Sequence, residues 1–294
     1  MQTVEYFRRK LQNAGDLQSI VHTMKVLASV SIRQFERAAE SLGEYYRTIE
    51  MGLQIVMNPV FQEEFPYMGG QKKRETAIIV LGSGQGLCGS FDEQIFDFTS
   101  RQLKEQKVED PLFLVLGERV AARLDASRVE GVFDLPGSVA GLNKVAIELL
   151  TALESLRREK SIGQVLILHH KPIKQGRYVP RMQLLLPLDR HWLNRLAAKE
   201  WPTNNIPQYS MKAGALFSQL VNQYLLVSLY RAMAESLAAE HMSRLNAMSM
   251  AEKKIEERLL KLHNQYARER QNAITDELLD ILSGYLAVKG EDEY

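Results

Sequence analysis

A chain of 294 residues with 45 % apolar and 25 % charged side chains has enough material for a sizeable core in one or two compact domains. Its 37 Lys plus Arg against 36 Asp plus Glu leave a formal charge of +1, which excludes the global field that holds nucleic acid or an anionic bilayer. A single cysteine, Cys88, excludes an internal disulfide and a cysteine-rich metal site.

No signal-peptide pattern opens the sequence and no apolar run approaches the roughly 18 to 20 residues that span a membrane, so a cytoplasmic compartment is expected. From Val4 to about Val56 there is no proline. Val4, Phe7, Leu11, Ala14, Val21, Met24, Ala28, Ile32, Phe35, Ala39, Leu42, Tyr46, Ile49, Leu53 and Val56 recur at three and four residue steps, a heptad stripe. Gln18 and Lys25 place polar groups on it. At about 1.5 Å per residue the predicted helix is about 80 Å long and needs a long partner.

Asn58-Pro59 and Gly69-Gly70 bracket a break, after which the period changes. Residues 76 to 83, 111 to 118 and 162 to 170 read as apolar, β-branched strands, the third following a helical stretch over 143 to 160. Residues 181 to 188, beyond a turn at Lys174 to Gly176, complete a hairpin added to a parallel sheet, so the middle is a small α/β domain. His169 and His170 are adjacent in a strand and point to opposite faces rather than to one metal.

After Pro202 and Pro207 helical spacing returns and runs to about Val288, through Leu216, Val227, Leu237, His241, Leu245, Met248, Leu262 and Ile281, with shifts of register. Two bundles of shorter helices, broken at turns the sequence does not mark, are the alternative.

Gly84, Gly86 and Gly89 satisfy G-x-G-x-x-G after a strand, the order of a dinucleotide loop. The acidic residue about twenty positions on is missing, and so is the lysine of a P-loop, since Ser90 and Phe91 follow Gly89. A tight strand-to-helix turn explains the glycines without a ligand. Asp92, Glu93 and Asp97 are assigned to an exposed helix, Asp134 and Asp189 to turns, and no pair is placed as acid and base. His22 and His241 fall on the long helices as packing positions, and Cys88 as a small filler under the turn. These residues describe a scaffold rather than an enzyme.

The order helix, α/β insertion, longer helix, together with three segments, resembles the gamma subunit of the F-type ATP synthases. The segments are "QSIVHTMKVLASVSIR" (Gln18 to Arg33), "GLCGSF" (Gly86 to Phe91), and the pair "AEHMSRLNAMSMA" (Ala239 to Ala251) and "YARERQNAITDELLDILSG" (Tyr266 to Gly284). The sequence departs from the family pattern at Val30 and Ser31, at Glu269 and Asn272, and in "NNIPQYSMKAG" with Lys212, which reads as a divergent branch, as of an alternative F-type ATPase.

The resemblance implies an antiparallel left-handed coiled coil of the terminal helices (1–58 and 206–294) carrying an inserted Rossmann-like α/β domain (72–200). It implies a rotor shaft inside a ring of three alpha and three beta subunits, with the epsilon subunit and the membrane c-ring as further partners, at the cytoplasmic face of a bacterial inner membrane. No cofactor, metal or catalytic residue is implied on this chain, since nucleotide and Mg²⁺ belong to the ring. Met24 and Lys25 are implied contacts to the beta subunit, with Arg270, Gln271, Thr275 and Glu277 on the facing part of the long helix. The apolar end over 281 to 290 suits a protein sleeve. A stand-alone nucleotide-dependent enzyme and a homodimeric coiled-coil tether remain the alternatives.

Overall fold

Val4–Val56 forms one α-helix, α1, and Ala213–Glu291 another, α6. The computed structural model describes residues 4–57, 75–173, 176–201 and 209–291, with side chains as far as 284. The break at Asn58-Pro59 and Gly69-Gly70, the first residues of the turn at Lys174, and Pro202 and Pro207 lie outside the described residues. Contacts divide the chain into one unit built from Met1–Leu27 with Leu245–Tyr294 and another from Ala28–Arg244.

In the larger unit a five-stranded sheet has the order β3-β2-β1-β4-β5. Its strands are β1 (Glu75–Leu81), β2 (Pro111–Leu116), β3 (Val129–Phe133), β4 (Ile162–Ile173) and β5 (Arg177–Leu186). The first four are parallel and β5 returns antiparallel along β4, so the expected hairpin on a parallel sheet is present. Its helices are α2 (Phe91–Glu105), α3 (Glu118–Ala121), α4 (Val139–Glu159) and α5 (Arg190–Ala197).

Strand alternation sorts the core onto two faces. Ile78, Val80, Phe113, Val115, Leu166 and Leu168 pack with Ile95 of α2. Ala77, Ile79, Leu114, Leu116, Val165 and Ile167 share a larger cluster with Leu142, Leu149 and Leu153 of α4, Phe35, Ile49 and Leu53 of α1, and Phe217, Val221 and Leu225 of α6. Both faces are covered, which is why β1 and β2 read as unbroken apolar runs.

Within this unit α1 and α6 run antiparallel. Phe35 stacks on His241 with ring centroids 5.7 Å apart, Tyr45 donates to Gln223 at 2.9 Å, and Gly52 lies under Leu220, so contacts move down α6 as they move up α1. From Tyr224 to Arg244 almost every α6 position is buried, including Ser228, Ser236, Glu240 and Ser243. A helix enclosed on all sides cannot show a single stripe.

In the smaller unit Phe7 and Val21 of α1 and Met248 and Leu262 of α6 are buried, while Gln18 and Lys25 are partly buried on the same stripe. Lys25 forms an ion pair with Glu252, and His22 reaches the same carboxylate at 3.4 Å. Antiparallel register from that pair brings Val4 level with about position 273 of α6, and residues 274–284 are all exposed. Two long helices packed together with a mixed α/β domain are the fold, as the sequence predicts. Of the described residues, no helix is long and apolar enough to cross a membrane.

Candidate functional site

The glycine loop leaves the C-terminal end of β1, the strand whose neighbours β2 and β4 belong to opposite halves of the parallel sheet. This is the switch point at which doubly wound folds receive a ligand. Gly89 has φ +59°, and Gly117, at the end of β2, has φ +99° with a would-be Cβ 2.6 Å from the carbonyl oxygen of Ser83, so neither position accepts a side chain without strain. Leu87 also sits at φ 63° and is 61 % exposed, a costly conformation for a branched apolar residue.

Asp92 corrects the expectation of an exposed acidic helix. Glu93 and Asp97 are exposed, but Asp92 is buried and accepts the N–H of Ser83 at 2.7 Å and its hydroxyl at 2.6 Å. Its place in the first turn of α2 also puts a negative charge at the positive end of the helix dipole.

The loop's outward N–H groups face α6. Glu240 accepts from Gly84 at 3.0 Å and from Gln85 at 3.2 Å, one carboxylate oxygen for each. One turn further along α6, Arg244 pairs with Glu240 at 2.5 Å and donates to the carbonyls of Gln85 at 3.1 Å and Gly86 at 3.4 Å. Ser243 donates to the Cys88 carbonyl at 2.6 Å and receives the Tyr178 hydroxyl at 2.9 Å. The N–H groups that a phosphate would use in a dinucleotide fold are therefore bonded to a carboxylate of the same chain. Cys88 is buried with Phe91 and Ala239, as expected of a filler, and burial pushes its thiol pKa up.

The two strand histidines point to opposite faces, as the alternation predicts. His169 meets Glu235 of α6 at 3.0 Å through Nε2, while Nδ1 has no partner, which fixes the neutral tautomer that donates Nε2–H. Burial lowers the His169 pKa. Burial alone would raise that of Glu235, but the bonds from His169 and Arg231 outweigh it and keep the carboxylate ionised. His170 lies against Phe91, ring centroids 4.1 Å apart, with neither nitrogen partnered, and burial brings its pKa down to about 3. His241 is a packing position, as expected, stacked on Phe35 and accepting from Arg244 at 2.9 Å. Burial, then the Arg244 charge, lowers its pKa to about 4. Among the described residues no group of His, Cys, Asp and Glu is arranged to hold a metal ion.

The six residues singled out on the long helices all fall in the smaller unit, but not in one cluster. Met24 and Lys25 are partly buried, whereas Arg270, Gln271, Thr275 and Glu277 are exposed. Glu252, not this group, faces Lys25, and Arg270 lies 18 residues, about 27 Å of helix, beyond Glu252. The expectation that the two sets face each other is corrected accordingly. The Thr275 hydroxyl turns back to the Gln271 carbonyl at 2.9 Å. Near these residues Ile274, Leu278, Leu279, Ile281 and Leu282 are all about half exposed or more, and on α1 so are Leu17, Ile20, Val26 and Leu27.

Sequence reasoning missed Glu240, Arg244 and the role of Asp92. A usable signal was present in "ESLAAEHMSR", where charged residues stand among Ala and Ser at positions too small-sided for a solvated helix face.

Comparison with known proteins gives a consistent picture. The ATP synthase family model matches residues 3–288. The ATP synthase gamma chain of Aquifex aeolicus is 24 % identical over 289 residues, covering 97 % of each chain. That of Trichlorobacter lovleyi is 25 % identical over 293 residues, covering 99 % of this chain and all of the relative. Among solved structures, a chain of the Euglena gracilis mitochondrial ATP synthase (OSCP/F1/c-ring, rotational state 3) superposes with a TM-score of 0.63 at 13 % identity, covering 99 % of this chain and 96 % of that one. A chain of the Tetrahymena thermophila mitochondrial ATP synthase central stalk and c-ring gives 0.55 at 19 % identity, covering 79 % and 99 %. These two likenesses establish the shared fold.

Proposed function

The chain belongs to the gamma-subunit family of the F-type ATP synthases, and on that premise we propose that its two long helices form a coiled-coil shaft whose exposed end bears on a stationary ring. It is the non-catalytic central rotor subunit, coupling to the ring of alpha and beta subunits in which ATP is made or hydrolysed. The observation that supports the bearing is the stretch 274–284, which continues α6 past the level of Val4 with its apolar residues in solvent. Exposed apolar rows of this kind mark partner surfaces.

In this reading Arg270 and Gln271 meet the surrounding subunits beside the first turns of α1, and Thr275 and Glu277 meet them where α6 has passed the level of Val4. Guanidinium, amide and hydroxyl groups form directional bonds that break and re-form as the shaft turns. Met24 and Lys25 form a second contact level, with Lys25 held in place by Glu252. The shaft segments are 1–58 and 206–294, and the Rossmann-like domain is 72–200. The epsilon subunit and the c-ring are its partners at the membrane end, and the chain is peripheral to the cytoplasmic face of a bacterial inner membrane. An asymmetric shaft presents a different face to each catalytic subunit and so holds three equal subunits in different states.

Affinity recovery of the tagged chain from its own cells tests the assignment. Three copies each of two large homologous ATPase subunits are expected in the recovered complex. Recovery without them would overturn the rotor reading.

A further inference from the structure

We propose that Glu240 and Arg244 form the mechanical joint through which torque passes between the α/β domain and α6, the glycine loop being its socket. The inference rests on the rotor function and assigns to this loop a load-bearing part in it.

The apolar interface between α6 and the sheet is made of close-packed Phe217, Val221, Leu225, Leu229 and the alanines at 232, 234 and 238. Such packing resists separation but is non-directional, and the alanines at 232, 234 and 238, nearest the loop, offer little against rotation of the helix about its own axis. Directional resistance comes one turn later. Glu240 and Arg244 are four residues apart, so they lie on one face of α6, and both engage backbone atoms of the loop. The bonds run in opposite senses: the loop gives two N–H groups to Glu240, and Arg244 gives its own to two loop carbonyls. Rotation or axial sliding of α6 therefore loses bonds of both kinds together.

The socket is stiff. Its first residues continue β1, a central strand bonded on both sides, and Asp92 holds Ser83 from below while Ser243 holds the carbonyl of Cys88. Glu240 and Arg244 are only 2 % and 4 % exposed, so water offers no substitute partner when the bonds stretch. A carboxylate bonded to two backbone N–H groups and a guanidinium gives a charge-assisted attachment at this loop.

The test uses the complete reconstituted complex in sealed vesicles, measuring ATP hydrolysis and ion transport together. Glu240→Gln keeps the shape but removes the charge that neutralises Arg244. The joint predicts hydrolysis close to wild type and faster amide exchange at Gly84 and Gln85. Ions moved per ATP against a gradient should fall about twofold or more, because an uncompensated charge destabilises the clamped position. Arg244→Lys, which keeps the charge but not the fork, should show a smaller fall. Ser236→Ala, at a buried hydroxyl without a partner, controls for general loosening and should leave the ratio unchanged. An unchanged ratio in Glu240→Gln overturns the joint, as does failure of both Glu240→Gln and Arg244→Lys to assemble, which would make the pair a folding element alone. A wild-type chain that enters no ring would instead remove the rotor reading on which the joint depends.

Discussion

Asp92 and Ser83 are locked together by two bonds, N–H to Oδ1 at 2.7 Å and hydroxyl to Oδ2 at 2.6 Å, tying the start of the glycine loop to the first turn of α2. Replacing Asp92 with alanine leaves two buried donors without an acceptor. Each costs roughly 1 to 3 kcal/mol, so a loss of about 2 to 4 kcal/mol is expected once the hydroxyl finds partial compensation. Urea denaturation of the purified chain measures it, and a change below 1 kcal/mol, of the size typical for a surface site, would show that the lock is not structural.

Acid should weaken the larger unit well above the range in which most carboxylates titrate. His170 and His241 have pKa values of about 3 and 4 in the folded chain because burial disfavours their charged forms. Their unfolded values are near 6.5, so below that pH the unfolded chain binds protons that the folded chain does not, and stability falls with pH. The loss is about 1.4 kcal/mol per pH unit for each histidine, and its window runs from roughly pH 6.5 down to the folded values. Glu235, whose pKa is also lowered, adds a loss in the same direction below its unfolded value. His170→Leu should flatten the curve between pH 6.5 and 4 and stabilise the neutral protein, since it removes two unpartnered nitrogens beside Phe91. A midpoint of denaturation that does not move between pH 7 and 5 would contradict the burial argument.

Gly117→Ala tests the other wall of the loop. Its φ of +99° and the Ser83 carbonyl oxygen 2.6 Å from the added Cβ leave room only for glycine, and backbone cannot swing aside as a side chain does. A destabilisation of at least about 2 kcal/mol is expected from conformational strain and overlap together. Gly137, with open space around its would-be Cβ, should accept alanine with little change.

Most of the elements were legible because their signals are local. The stripe from Val4 to Val56 gave α1 almost to the residue, three apolar β-branched runs gave β1, β2 and β4, and the apolar run beyond the turn at Lys174 to Gly176 gave β5. β3 was not legible: "VEGVF" is five residues with a glycine and a glutamate, and only its place beside β2 makes it a strand. α5 is short, although Asp189, which accepts the His191 N–H at 2.9 Å, was a readable cap. The polar clamp was hidden for another reason. Glu240 and Gly84 are 156 positions apart, and nothing local in either segment reports that the carboxylate fills the loop. The glycine pattern was visible, while the residue that occupies it was not.

The bearing surface is tested by replacing Arg270, Gln271 and Thr275 with alanine together. All three are exposed, and the Thr275 hydroxyl bonds back to the Gln271 carbonyl within the helix, so little packing within the chain is lost there. Alanine is also the best helix former, and far-ultraviolet circular dichroism should be unchanged or slightly stronger. In the reconstituted complex the same change should lower ATPase turnover or torque several-fold, or weaken retention of the subunit in the ring, because a few directional contacts carry most of the energy of such a surface. The single substitutions need not add up to the triple effect, since Gln271 and Thr275 are four residues apart on one helix face and can share a partner. Glu269 and Asn272, where the sequence leaves the family pattern, flank the same surface. Restoring turnover by returning Arg270 alone would place the main contact on the guanidinium. Unchanged turnover, torque and retention in the triple variant would remove these residues from the bearing while leaving the antiparallel shaft and its glycine-loop clamp in place.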